Sequence, residues 1–315
     1  MPKAQTKVSV IVPVYDRATL VGRCFQSILH AGYENIEVLF VDDGSRDGSL
    51  EAVRDIAQSH PGVVRVLAHP GGRNRGVSAS RNLGIAESTG QYVCFLDSDD
   101  AMLPGRFDAA IEILDRYPRI DGVYESAEIV SSDGVRAGLL VPAEEVAIGS
   151  LEGRDIDPSG SIHTGGILVR RTLFDHAGLF DVQRWVGEDI HLWLRMYSIG
   201  NLVPGMVLRP VVSYYKHSGN TKGFDTPRVE LDVIASVHEW ARTRPVEARK
   251  LAYLRSRYCS LFYYYLAEAR RNRLGRTGEL SFMWFAATRF PGIIRERRYW
   301  ANIFRVFRAV AGARN

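Results

Sequence analysis

Three apolar runs, too short to cross a membrane and too continuous to lie on a surface, constrain this chain more than any other feature: Val8–Val14, Val38–Val41 and Tyr92–Leu96. A strand wetted on one face alternates apolar and polar side chains, whereas a strand covered on both faces has no need to. Between the runs lie helical patterns, over Leu20–Ala31 and over Ser49–Ser59. Strand, helix, strand, helix with doubly buried strands predicts an α/β domain built on a mainly parallel, right-handed βαβ sheet.

Further along, the apolar segment His163–Val169 runs into Arg170-Arg171, and a helical stretch over Asp189–Ile199 follows a connection rich in Gly, Phe and Asp. After Asn220 the character changes to helices rich in Arg, Tyr and Phe, so a boundary is expected there, with domains at 1–220 and 221–315. The stripe Tyr253, Tyr258, Phe262 and Tyr265 has helical spacing and reads as core. At 46% hydrophobic and 24% charged residues the chain is neither disordered nor fibrous. Three scattered cysteines, Cys24, Cys94 and Cys259, argue against a disulfide framework and fit a reducing, cytoplasmic compartment. The run from Val8 is broken at Tyr15-Asp16-Arg17 and reads as a strand rather than a secretory leader. No segment is apolar for eighteen residues, so membrane contact is expected to be peripheral, on the inner face. The basic character is concentrated late: from Arg270 to Arg314 eleven arginines stand against Glu279 and Glu296.

Ligands of open parallel sheets bind beyond the carboxyl ends of the strands. Those ends read Pro13-Val14-Tyr15-Asp16, Asp42-Asp43-Gly44-Ser45 and Asp97-Ser98-Asp99-Asp100. Singly, each suits an ordinary turn or helix cap; together, on neighbouring strands, they predict a site. Asp97-Ser98-Asp99 sets two carboxylates on an extended turn, a spacing that suits a hard divalent cation, Mn²⁺ or Mg²⁺, which would also hold diphosphate oxygens. The loop Gly71-Gly72-Arg73-Asn74-Arg75-Gly76, followed by Ser78, Ser80, Arg81 and Asn82, joins mobile backbone to guanidinium groups suited to phosphate or base edges, or simply to solvent. It is neither a P-loop nor a dinucleotide fingerprint.

VSVIVPVYDR at 8–17, VDDGSRDGS at 41–49, GVSASRNLGIA at 76–86 and FLDSDD at 95–100 resemble, in order and spacing, the family 2 glycosyltransferases. The likeness continues through LVRRTLFDHAGLFD at 168–181 and GEDIHLWLRM at 187–196, and so covers about residues 8–220. It implies a GT-A-type, Rossmann-like sheet with a C-terminal helical extension. It also implies an inverting, metal-dependent transferase of the hexosyltransferase type.

By that resemblance Pro13, Val14 and Tyr15 cradle the nucleobase, with Asp16 beside them, and Asp42 accepts a hydrogen bond from a uracil-like base. Asn74 and Arg75 or Arg81 lie near base or diphosphate, Arg81 and Asn82 having the alternative of merely tying the loop to the sheet. Asp97 and Ser98 lie near ribose and sugar, and Asp99 is the metal ligand. His217 matches a position that contacts metal or diphosphate, although Lys216 stands where an arginine is more usual. Asp189 is the base that removes the acceptor proton, and Glu188 orients acceptor or base; the alternative is that the pair only caps its helix. The implied partners are a nucleotide diphosphate sugar, UDP-linked by default, and a glycan or lipid-linked acceptor in polysaccharide or glycoconjugate assembly, with no nucleic acid. The QxxRW signature of processive synthases is missing, which favours transfer of a single sugar. The basic, aromatic C-terminal helices are expected either to meet an anionic membrane surface or to form an oligomer contact.

Other readings remain at this point. A haloacid-dehalogenase-like phosphatase also ends a strand in Asp-x-Asp, and a receiver module carries an acidic pair after a strand, but neither accounts for Glu188-Asp189. A non-catalytic homologue that binds nucleotide or glycan is the third. The stretch Val123–Pro158 carries no motif and is expected to shape the acceptor cleft.

Overall fold

The computed structural model describes residues 6–140, 162–205, 209–217, 226–271 and 275–311. The expectation for 123–158 therefore lies outside the described residues beyond Leu140, as do the side chains of Arg271, Arg273, Arg276, Phe307 and Arg308. The chain divides into two compact units, Met1–Thr221 and Lys222–Asn315.

In the first unit β1 (Val8–Val14) is buried at every position, followed by α1 (Val21–His30), β2 (Ile36–Asp42), α2 (Ser49–Ser59) and β3 (Val64–Ala68). Next come α3 (Val77–Glu87), β4 (Tyr92–Phe95), the short β5 (Ala101–Met102) and α4 (Asp108–Arg116). Then β6 (Gly122–Tyr124), β7 (Ala127–Val130), β8 (Arg136–Leu140) and, after a 3₁₀ turn at Thr164–Gly166, β9 (Ile167–Arg170). Finally α5 (Leu173–Ala177), α6 (Glu188–Ile199), β10 (Leu202–Pro204) and β11 (Val212–Tyr215) complete the unit.

Seven strands make the main sheet, in the order β10-β6-β9-β4-β1-β2-β3. β1 lies parallel to both β2 and β4, in register Val8 with Ile36 and Val8 with Tyr92. The carboxyl ends at Val14, Asp42 and Phe95 consequently open on the same side. β9 runs antiparallel to β4 and β6, the one reversal in an otherwise parallel sheet. A second sheet, β5-β11-β7-β8, was not foreshadowed by any motif.

Helix α1 presents Val21, Cys24, Phe25 and Ile28 to the core at helical spacing. Helix α3 works differently, because three of its five buried residues are small: Ser78, Ser80 and Gly84 lie beside Arg81 and Ile85, and a side chain at Gly84 would overlap Ile11 of β1. This close seat brings Arg81 up to the strand ends. A second fixed point is Arg106, fully buried, whose guanidinium donates to Glu125 Oε2 at 2.9 Å and to the carbonyls of Gly165 and Ile167 at 3.0 Å each. It anchors the 3₁₀ turn that carries His163 and Thr164 to the site.

The second unit holds α7 (Thr226–Arg242), α8 (Ala248–Arg271), α9 (Gly275–Arg289), a 3₁₀ turn at Pro291–Arg295 and α10 (Arg297–Ala311). Its core contains Tyr258 and Phe262 from the aromatic stripe. Tyr258 stacks on Phe290 and Phe262 on Phe282, with centroids 4.6 and 5.7 Å apart. No described helix is long and apolar enough to cross a membrane.

Candidate active site

Above the carboxyl ends of β1, β2 and β4 lies a cleft of about 750 Å³. One end is formed by Pro13, Val14 and Tyr15, by Asp43, and by Asn74 and Val77 at the entrance to α3. Tyr15 is 43% exposed there, an aromatic ring available to a flat ligand. Asp43 is fixed by its own N–H, which donates to Val14 O at 2.8 Å. Its carboxylate accepts from the N–H groups of Arg75 and Gly76 at 2.7 and 2.9 Å, and so pins the 71–76 loop to the strand end.

Four of the expected site residues, Asp16, Asp42, Arg75 and His217, do not line this cleft. Asp42 is buried and turned into its own loop, where it accepts from the N–H of Gly44 at 3.1 Å and of Ser45 at 3.4 Å. Asp43, next in the chain, takes the wall position assigned to Asp42, as a one-residue step at a strand end reverses the side chain's direction. Asp16, in the left-handed region at φ 51°, accepts from Arg46 N–H at 2.8 Å and supports the turn. Arg75 contributes its backbone, while its side chain is exposed away from the wall. Pro13, Val14, Tyr15, Asn74, Arg81, Asp97, Ser98, Asp99, Glu188 and Asp189 are brought together.

Arg81 is the centre of the arrangement. Its side chain is 4% exposed; Nη2 donates to Asp97 Oδ1 at 2.8 Å and Nη1 to Glu188 Oε1 at 3.0 Å. Arg81 thus ties two carboxylates together rather than loop to sheet, and it also lines the cleft. Asn82 is the side chain that braces backbone, exchanging hydrogen bonds with Phe180 N–H and C=O at 2.9 Å each. The electrostatic consequence differs for the two carboxylates. Burial opposes ionisation of Asp97, but the charge and hydrogen bond of Arg81, with His163 and Arg17 beyond, hold its pKa below the usual carboxylate range. Burial and the adjacent Asp189 charge push Glu188 upward, and Arg81 only partly offsets them.

Glu188 and Asp189 begin α6 because Gly187 supplies the left-handed turn before it, at φ 70°, where a side chain would be strained. The first turn of a helix favours negative charge. Asp189 Oδ2 lies 3.3 Å from the Thr164 hydroxyl and Oδ1 accepts from Ile190 N–H at 2.7 Å.

Asp99 stands on the opposite wall. Its Oδ2 is 2.8 Å from His217 Nε2 and 3.5 Å from Arg17 Nη2. Among the described residues no three groups gather as a metal cage. An oxygen and an imidazole nitrogen side by side do suit an ion that takes the rest of its shell from water and diphosphate, as Mg²⁺ and Mn²⁺ commonly do. The donor set therefore fits a cation that arrives with its substrate.

Several wall residues had no assignment from sequence: Arg17, Asp43, His163, Thr164, Trp185 and Tyr214. His163 Nδ1 accepts from Gly165 N–H at 3.2 Å and Nε2 faces Asp100 Oδ2 at 3.3 Å. Asp100 in turn accepts from Tyr215 N–H at 3.0 Å and so staples β11 beneath the acidic turn. Trp185, 75% exposed although on the cleft wall, stands three residues before Glu188. That proximity to the acidic pair was the one signal for it in the sequence.

The family model for glycosyl transferase family 2 matches residues 9–175, more than half of the chain. The chain belongs to glycosyl transferase family 2. This sets aside the phosphatase and receiver readings. An uncharacterized glycosyltransferase of Rickettsia conorii is 28% identical over 198 residues, 62% of this chain and 32% of that protein. The uncharacterized glycosyltransferase YibD of Escherichia coli is 34% identical over 108 residues, 34% of this chain and 30% of its own length. The chain thus spans about a third of the length of these relatives. Among solved structures, that of S. aureus TarS 1–349 in complex with UDP-GlcNAc matches with a TM-score of 0.67 at 17% identity, covering 89% of this chain and 81% of that one. The same overall fold, a GT-A-type sheet flanked by helices, is common to both.

Proposed function

We propose that the chain transfers a single sugar, with inversion, from a UDP-sugar to a hydroxyl of a glycan or lipid-linked acceptor. One observation carries the reading: Arg81 joins Asp97, of the acidic turn after β4, to Glu188, at the head of α6. Donor-side and acceptor-side carboxylates then share one rigid guanidinium, which fixes their separation before substrate arrives. The UDP of the TarS complexes supports a uridine donor by likeness of fold.

In this reading the base lies against Tyr15 and Asp43 and the diphosphate passes Asp99 and Arg17. Asp189 takes the proton of the acceptor hydroxyl as that oxygen attacks the anomeric carbon and the bond to the diphosphate oxygen breaks. The electron pair of that bond leaves with the nucleotide. Asp189 Oδ2 is held 3.3 Å from the Thr164 hydroxyl on the cleft wall. Glu188, nearer to its neutral form, is suited to hold the acceptor by a hydrogen bond. A divalent cation, Mn²⁺ or Mg²⁺, held by Asp99 and His217 would neutralise charge on the departing diphosphate.

Thermal shift against uridine, guanosine, thymidine and adenosine diphosphates, each with and without Mn²⁺, tests the donor half. A rise in Tm with UDP and Mn²⁺ that is lost in Asp99→Ala is expected, since only ligands that favour the folded state stabilise it. Absence of any nucleotide shift, or an equal shift in Asp99→Ala, would refute it. NMR of the product's anomeric proton then tests inversion.

A further inference from the structure

The second unit carries a feature that sugar transfer leaves unused. Along its final turn and helix, Ile294, Trp300 and Phe304 are 43%, 47% and 62% exposed. They are contiguous: the Trp300 indole N–H donates to Ile294 O at 2.7 Å, and the rings of Trp300 and Phe304 lie 6.5 Å apart. The polar edge of Trp300 is thereby satisfied, which leaves apolar surface facing outward. On α10 the opposite face is buried, through Tyr299 and Val306 at 3% and 4% exposure, so the outward face is not one that the unit itself covers.

Arginines flank this patch. Arg295, Arg297 and Arg298 are exposed, and no acidic side chain among the described residues pairs with them. Glu296, the one carboxylate between Arg289 and Ala311, is engaged by Arg255 at 2.9 Å. Arg305 differs, since it reaches Glu279 at 3.6 Å. A helix with aromatic and aliphatic side chains beside unpaired guanidinium groups, anchored by its other face, has the character of an interfacial helix.

The geometry points to α10 and the turn before it as a docking surface for an anionic phospholipid bilayer, with Trp300, Phe304 and Ile294 entering the headgroup boundary and Arg295, Arg297 and Arg298 on lipid phosphates. Charge favours this occupant over a second copy. An isologous dimer through the patch would set the same arginine cluster against itself, whereas an anionic surface attracts every member of it.

Co-sedimentation of the full chain with vesicles tests the assignment, using phosphatidylcholine alone and phosphatidylcholine mixed with phosphatidylglycerol. Binding is expected to the mixed vesicles, weakened by salt, with little to the neutral ones. Each arginine replaced by glutamine is expected to cost about fivefold, so the triple change at 295, 297 and 298 loses roughly a hundredfold. The double change Trp300→Ala with Phe304→Ala loses about tenfold or more. All five positions are exposed, and circular dichroism with the UDP thermal shift establishes that the variants retain their fold and donor site. Equal binding to both vesicle types, no binding, or variants that bind like the wild type would overturn the assignment. Self-association abolished by the aromatic change, without vesicle binding, would give the face to a second copy instead. The vesicle readout is independent of nucleotide and acceptor, so its failure is distinct from failure of the proposed transfer.

Discussion

The two ends of the parallel sheet each bury carboxylates, and they treat them in opposite ways. At the amino end Glu37 is 3% exposed and one of its oxygens collects the Ser9 hydroxyl, the Thr89 hydroxyl and the N–H groups of Thr89 and Gly90, while Lys7 stands 3.3 Å from the other. Burial alone would raise its pKa, but these donors bring it below the usual range. At the carboxyl end Asp97 and Glu188 converge on Arg81 as their guanidinium partner, and with Asp189 they keep wall positions on an open cleft. A carboxylate with its donors supplied from its own surroundings holds the structure together; carboxylates that share one cation retain acceptor capacity for a ligand.

If that contrast is right, changing a carboxylate at the carboxyl end can cost function without costing the fold. Asp189→Asn keeps size and helix position but removes the basic oxygen, and turnover should fall by about a thousandfold, within the range for general-base removal. The UDP-induced shift should persist; a variant that turns over normally would break the contrast. Arg81→Met leaves Asp97 and Glu188 without their shared cation. Deleting one partner of a buried pair costs about 3–5 kcal/mol, and the lower end is expected because Asp97's side chain is 33% exposed. Urea unfolding measures that loss, and Arg81→Lys should recover only part of it, since an ammonium cannot fork between two carboxylates.

How much of this was legible beforehand follows from what each element needs. β1, β2 and β4 declare themselves because double burial demands largely apolar runs, interrupted near their starts by Ser9 in β1 and Glu37 in β2. β3 does not: it carries Arg65 within Val-Arg-Val-Leu-Ala and, among the described strands, lies at the edge with β2 as its one partner. Helix α3 was visible only as a motif, because small residues rather than an apolar stripe seat it on β1. The antiparallel β9 is as apolar as a parallel strand, so direction could not be read from composition. At the site, motifs after strands located the cleft, but which of Asp42 and Asp43 faces it depends on the final peptide of β2. His163 was brought in by tertiary structure alone, and Trp185 was signalled only by its place three residues before Glu188.

The amino end should show the reverse behaviour, a stability effect without a catalytic one. Glu37→Gln keeps one acceptor oxygen but loses the charge that strengthens its hydrogen bonds, a loss of about 2 kcal/mol, with kcat unchanged for the folded fraction. Because the folded pKa of Glu37 lies below the unfolded value of about 4.3, its contribution is present above that value and lost as pH falls through the folded pKa. The gap in unfolding free energy between wild type and variant should therefore be full at neutral pH and close under acid. A gap that does not change with pH would mean that Glu37 acts by shape rather than by charge.

The smallest effect, and the sharpest discriminator, is expected at Glu188. Its folded pKa is raised, by burial first and by Asp189 next, so the fold prefers it protonated. The stability it contributes is present below the unfolded value of about 4.3 and is lost as pH rises through the folded pKa. Glu188→Gln imitates the protonated form at every pH while still accepting from Arg81. The Tm of the variant relative to wild type should accordingly be higher at pH about 8 than at pH about 4, by the equivalent of roughly 1 kcal/mol or less, because the Arg81 pair offsets part of the penalty. Differential scanning calorimetry across that range reads the sign directly. A variant that instead loses stability at alkaline pH would show that Arg81 satisfies Glu188 as completely as the amino-end donors satisfy Glu37, and the two ends of the sheet would then differ in exposure alone.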